Sequence, residues 1–289
     1  MRAWLIAVSV SSPESRQGRG QTRFQPPLQL QLHGNPRVRR SSAYDANFER
    51  HLSDHGIHLP FRGPQGPKPD IAEIRFQLSA RRPSLSPSRF DDMAFDNFVR
   101  TAESESESSV MTKVIPIIAG NASIPNGHSL QFTNLDRLVV PTNHANEPVP
   151  PNFFLDVKSH KGSPAVVRRQ ACLDGAYGAR AMHSLQSYRE EVPTYTAEVH
   201  AYSSTYSDGV LKLYAHQVTA PTGSDGQPEY LMTQISCHAL TDDRSAFVAG
   251  ATAYRNAKDL AQRHRDELIQ RANAKARDLS PSKQGPTLF

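Results

Sequence analysis

The chain has 289 residues, 37% of them hydrophobic, with 22 prolines and a formal charge of +5. That apolar content supports a core smaller than the chain; Cys172 and Cys237, outside any CxxC or Cys/His ligand spacing, exclude a disulfide framework and a zinc site; and no run approaches the roughly 18–20 apolar residues of a membrane span. The basicity is local, because residues 1–40 hold seven arginines against Glu14, a net +6 that leaves −1 for everything after.

The opening MRAWLIAVSVSS has a charged start and a short apolar patch at the low edge of a secretory leader, with no small-x-small cleavage site behind it. It reads as an N-terminal extension, so an intracellular location, cytoplasmic or nuclear, is favoured over secretion. RVRR at 37–40 suits a solvated segment, a nuclear address or a phosphate-binding arm. FRGPQGPKPD, from Phe61's neighbourhood to Asp70, is a breaker cluster. Residues 1–80 are therefore expected to be a largely disordered, basic extension, residues 81–278 the folded domain, and residues 279–289 a disordered tail.

From Ser84, the spacing of Phe90, Met93, Phe95 and Phe98 predicts a short helix that docks an aromatic face. A second helical segment, ESESSVMTKVIPIIAG, ends at Gly120, with Pro116 making its last turn irregular. NFFLDVK is an apolar run of strand length, and the helix after it has Ser163 at the N-cap position and Pro164 at its first turn. TYTAEVHAYSSTY and VLKLYAHQVTA flank Asp208-Gly209, a hairpin dipeptide, and YLMTQISCHAL adds a further strand. The terminal helix places Phe247, Ala251, Tyr254, Ala257, Ala261, Leu268 and Ala272 on one face.

The chemistry concentrates at FFLDVKSHKG. Residues two apart on a strand share a face, so Asp156 and Lys158 project together. A carboxylate there can hold Mg²⁺, and the ammonium beside it can stabilise charge on a phosphate under attack; an alternating Asp and Lys is also what a solvated strand end looks like. On the next helix Gln170 and Tyr177 are seven residues apart, about 700° around the axis, and point almost the same way. Arg168 and Arg169 suit either a phosphate contact or plain exposure. His183, His200, His216 and His238 lack metal spacing, Ser203, Ser204 and Thr205 lack a nucleophile elbow, and neither a P-loop nor a dinucleotide fingerprint occurs.

Taken together, RRPSLSPSRF, VMTKVIPIIAG, NFFLDVKSHKGSPAVVRRQACLDGAYGARAMHSLQSY, YSSTYSDGVLKLY, EYLMTQI and GATAYRNAKDLAQRHRDELIQRAN resemble, in order over about residues 81–276, an uncharacterised fungal domain family related to PD-(D/E)xK nucleases. The resemblance implies an α/β (α+β) fold of restriction-endonuclease type: a mixed central sheet flanked by helices. It implies Asp156 as the motif acid, where the family more often has Glu, and Lys158 as its basic residue. It further implies Glu107 as the first-helix acid, with Asp156 and Glu107 holding Mg²⁺ and Gln170 orienting the site. Nucleic acid is the partner it implies, with no membrane. The chain departs from the family between FTNLDRL at 132–138 and the NFFL strand, where VVPTNHANEPVPP lacks the Pro-Asp pair. Asp136 and Glu147 are the only acids there to replace it, in a stretch that reads as loop. Two functions follow: a Mg²⁺-dependent nuclease, or a domain with a degenerate site that at most binds nucleic acid or a partner. Whether a further carboxylate reaches Asp156 separates them.

Overall fold

The computed structural model describes residues 42–64, 67–104, 106–120, 151–224 and 226–278, together with the backbone of two short strands at 6–9 and 126–127. Its centre is a mixed sheet in the order β2-β7-β6-β5-β4-β1-β3. The strands are β1 (Ile6–Ser9), β2 (Ile57–His58), β3 (Asn126–Gly127), β4 (Phe153–Lys158), β5 (Ala201–Ser207), β6 (Val210–Thr219) and β7 (Glu229–Ala239). β4 runs parallel to β1 and β5, and β5, β6 and β7 form an antiparallel meander.

Parallel neighbours need a crossover, and α6 (Pro164–Gln186) supplies it between β4 and β5. Ser163 is its N-cap and Pro164 sits in its first turn, where a missing N–H costs nothing. The β5–β6 hairpin turns on Asp208 (φ 50°) and Gly209 (φ 73°), both in the left-handed region that a two-residue turn of this hand demands. α7 (Arg244–Asp278) returns across the opposite face of the sheet. All seven residues expected on its apolar face are buried.

The two faces are built differently. Towards α7 lies the main core, joining Phe153, Leu155 and Val157 of β4 to Phe247, Tyr254 and Leu260 of α7 and to Phe90 and Phe98. The Phe247 ring stacks on Phe90 at 4.3 Å between centroids and tilts against Phe98 at 4.4 Å. Towards α6 the spacing is set by small residues. A Cβ added at Gly175 would come within 2.0 Å of the His216 ring, so the helix lies as close to the sheet as a glycine allows.

Three further helices cover the α7 face: α2 (Ile71–Leu78), α3 (Asp92–Ala102) and the stretch from α4 (Glu107–Ser109) through a π turn (Val110–Val114) to α5 (Ile115–Ala119). Pro116 has no N–H to return to the preceding turn, and the π turn just before it is how the helix absorbs that loss. The helix expected from Ser84 starts later: a 3₁₀ turn covers Pro83–Leu85, and α3 begins after Asp91, whose side chain accepts from Ala94 N at 2.9 Å. Met93, expected on its apolar face, is exposed.

The expected extension over residues 1–80 is corrected by what lies after residue 41. α1 (Phe48–Ser53), β2 and α2 are all packed: Phe48, Leu52, Ile57 and Leu59 are buried with Val166, Ala171 and Met232, and Ile74 and Leu78 join the main core. These elements are short, and it is tertiary burial that makes them regular. Even the breaker cluster is pinned, since Gln217 donates to the Pro67 carbonyl at 2.9 Å. Within the opening segment, Ile6–Ser9 pairs with β4 as a strand. RVRR and residues 279–289 lie outside the described residues.

Candidate functional site

β4 delivers the site. Its odd positions enter the main core, so Phe154, Asp156 and Lys158 turn to the α6 face. β4 is interior, between β1 and β5, and Asp156 has Ser9 and Thr205 as its register partners. Thr205 is in turn opposite Lys212 of β6, so a polar row crosses the sheet at this level.

Lys158 is 1% exposed. Its ammonium donates to Glu107 Oε1 at 2.7 Å and to the Tyr44 hydroxyl at 3.1 Å, and it lies 5.5 Å from the Tyr44 ring centre. Glu107 is the first residue of α4, which Ser106 caps by accepting from Ser109 N at 3.1 Å. Arg255 of α7 holds the far end of this helical stretch by donating to the Ile117 and Ile118 carbonyls at 2.9 and 2.8 Å. Burial lowers that guanidinium to about 10, the cost of placing it where those carbonyls need a donor. Glu107 is thus brought to the strand end by a helix anchored in the core.

Asp156 is fully buried, and neither of its carboxylate oxygens has a hydrogen-bond partner among the described residues. Burial raises its pKa well above the usual carboxylate range, the charge of Asp174 raises it further, and the charge of Lys158 opposes both. Asp174, on α6, is itself pushed up to about 7 by burial. Burial thus favours the protonated form of both carboxyls, and the charge of Asp174 adds to that at Asp156.

Asp174 is the residue that motif reasoning missed. It follows Gln170 by one helical turn, about 40° away from the same direction, so the spacing that singled out Gln170 and Tyr177 also carried an acid between them. Gln170 is buried on the α6 stripe that contains Ala171 and Gly175, and Tyr177 is half-buried. Arg168 and Arg169 are engaged at Glu49 of α1, Arg169 Nε at 3.0 Å and Arg168 Nη2 at 3.9 Å. Arg62 reaches the same carboxylate at 2.6 Å. Those three cations hold the Glu49 carboxyl below its ordinary range against the opposing effect of its burial. Asp136 and Glu147 lie outside the described residues.

No known family model, curated protein or solved structure matches this chain. What the site can do has to come from its own side chains. Among the described residues, no group of three or more His, Cys, Asp or Glu is placed to hold a metal ion. Mg²⁺, however, keeps several waters and is commonly held by one or two carboxylates. Asp156 and Asp174 meet that lower bound, and Asp156 has oxygens to offer. Glu107, which the resemblance implies as a metal ligand, here serves as the counter-ion of Lys158.

Proposed function

We propose that the chain is a nuclease-like domain whose phosphodiester site is closed, binding nucleic acid at most and cleaving it weakly or not at all. The observation that carries this reading is the Lys158–Glu107 pair. A lysine that is to meet a phosphate must offer its charge to an incoming anion, and here a carboxylate of the same chain, partly exposed itself, occupies that place 2.7 Å from an ammonium that is 1% exposed. A phosphate oxygen would have to displace Glu107 and bring its own charge into the same low-dielectric pocket.

The proton on the carboxylate pair closes the site a second way. Metal ligands must be deprotonated, so a cation competes with that proton for Asp156 and Asp174. When bound there, Mg²⁺ would neutralise phosphate charge as a Lewis acid. Asp156 and Asp174 would hold it, Lys158 would face the phosphate, and Gln170 would fix the helix side of the site. The seven arginines of residues 1–40 supply the long-range attraction to nucleic acid that the rest of the chain, at −1, does not.

A second reading, an active Mg²⁺-dependent phosphodiesterase using Asp156 and Lys158, is favoured by one observation: Asp174 gives Asp156 the carboxylate partner that such a site needs. Cleavage of single- and double-stranded DNA and RNA, with Mg²⁺ and with Mn²⁺, separates the two. Wild-type protein should leave the substrates nearly intact while retaining them in a salt-sensitive anisotropy assay, and Glu107→Gln should tighten retention. Robust cleavage by wild type that Asp156→Asn and Lys158→Ala each abolish would establish the second reading instead.

A further inference from the structure

A cavity of about 910 Å³ lies on the α7 face, away from Asp156, between α2, the 3₁₀ turn, β7 and α7. Small-ligand sites span roughly 300–1,000 Å³. β2 pairs with β7 only at Tyr230 and Leu231, so among the described residues the rest of that outer edge has no strand beside it. The cavity borders β7 at Ile235, Ser236 and His238. Its floor is apolar, with Leu78, Leu85, Ile235, Val248 and Ala253.

Its charged lining is all of one sign: Arg75, Arg81, Arg82 and Arg244, with no Asp or Glu among the lining residues. Two of the four are fixed from outside the cavity. Arg82 donates to Asn256 Oδ1 at 2.7 Å and to Asp259 Oδ2 at 2.8 Å, and Arg244 Nε meets Asp92 at 2.8 Å. Arg75 donates Nε to the Ile235 carbonyl at 2.6 Å, at the irregularity where β7 slips register against Leu213 and Tyr214, and has no carboxylate partner among the described residues. Arg81 is exposed and likewise meets no carboxylate.

We propose that this cavity binds an amphipathic anion: a ligand with an aliphatic body that covers the floor and a single carboxylate or phosphate head held by Arg75 and Arg81. Guanidinium forks recognise both heads by paired N–H donors, and a dry floor strengthens that attraction. Free phosphate would leave the apolar floor wet, and a nucleic-acid backbone needs basic groups along an outer surface, not around a hollow. The neutral chain alone would leave the two guanidinium charges without a counter-ion.

Calorimetric titration of the full chain with laurate, dodecyl phosphate, dodecanol and inorganic phosphate tests this. One equivalent of laurate or dodecyl phosphate should bind, at least tenfold tighter than dodecanol or inorganic phosphate; whichever is tighter identifies the head. Arg81→Glu, a change at an exposed side chain, should weaken that binding at least tenfold, and Val248→Trp, which fills the floor, should abolish it. Equal binding of dodecanol and laurate, binding of inorganic phosphate as tight as dodecyl phosphate, no binding of either amphiphile, or wild-type affinity in Arg81→Glu would each overturn the assignment. Should Val248→Trp fail to fold, the Arg81→Glu titration decides alone.

Discussion

One strand, Phe153–Lys158, serves two opposite environments. Phe153, Leu155 and Val157 enter a dry aromatic and aliphatic core under α7, while Asp156 and Lys158 carry charge-bearing groups to the α6 face at 0% and 1% exposure. The α7 face gains from the removal of apolar surface from water. The α6 face does the reverse: it buries two ionisable groups on β4 and the polar Ser203, Thr205 and Gln170, and half-buries a third ionisable group, Asp174, on α6. A fold retains such a face when the opposite one stabilises it enough to bear the cost. That asymmetry, and not the presence of an Asp-x-Lys motif as such, is the reason to look for phosphodiester chemistry on the α6 side.

Variants on each face should therefore differ in kind. The largest effect belongs to the α7 face. Phe247→Ala removes a ring packed between Phe90 and Phe98 and should cost about 4 kcal/mol in urea unfolding, the range for aromatic-to-alanine changes in cores. A loss under 1 kcal/mol would mean that this face is not the principal source of stability. Lys158→Ala comes next, at about 3 kcal/mol, because it leaves Glu107 and Asp156 without their cation in a buried setting. Glu107→Gln and Lys158→Ala combined should cost less than the sum of the two. Strict additivity would mean that the pair does not interact.

The α7 face was legible in the sequence. Its helix repeats apolar residues from Phe247 to Ala272 at helical spacing, and every one is buried because a long helix satisfies its own backbone and needs only one stripe. The Asp208-Gly209 turn was legible for an equally local reason. α1, β2 and α2 were not, since six-, two- and eight-residue elements carry too little pattern and owe their order to Val166, Met232 and the main core. Of the site, Asp156, Lys158 and Gln170 were visible through strand and helix periods. Glu107 came only through a resemblance, because its approach to Lys158 depends on α5 being pinned by Arg255, 137 residues away in sequence. Asp174 carried a signal that was overlooked: an acid set among the small residues of a helix that packs tightly on a sheet.

That tight packing gives the third test. Gly175→Ala would place a methyl 2.0 Å from the buried His216 ring, which accepts from or donates to Ser203 at 2.7 Å, so helix or ring must shift. A cost of about 2 kcal/mol is expected from such overpacking. An unchanged stability would show that α6 has room to withdraw.

The smallest effect has the opposite sign. Asp174 binds its proton more tightly in the folded chain, about 7 against an ordinary 3.8. The folded state therefore holds more protons than the unfolded one between those values, and its stability falls as pH climbs through that window. Asparagine at 174 removes the titration. Asp174→Asn should match wild type near pH 4, pull ahead through pH 5–7 and hold a constant lead above. Taken alone, a displacement of this size would convert to about 4 kcal/mol at ~1.36 kcal/mol per unit. Asp174 is only half-buried, however, and solvent screening reduces that figure. A lead of about 1 kcal/mol at pH 8, or roughly 2–4 °C in Tm, is the expected outcome. A difference of the same size at pH 4 and at pH 8 would mean that Asp174 acts through its shape and hydrogen bonds. The α6 face would then bear no electrostatic cost, and its likeness to a site that awaits a cation would be lost.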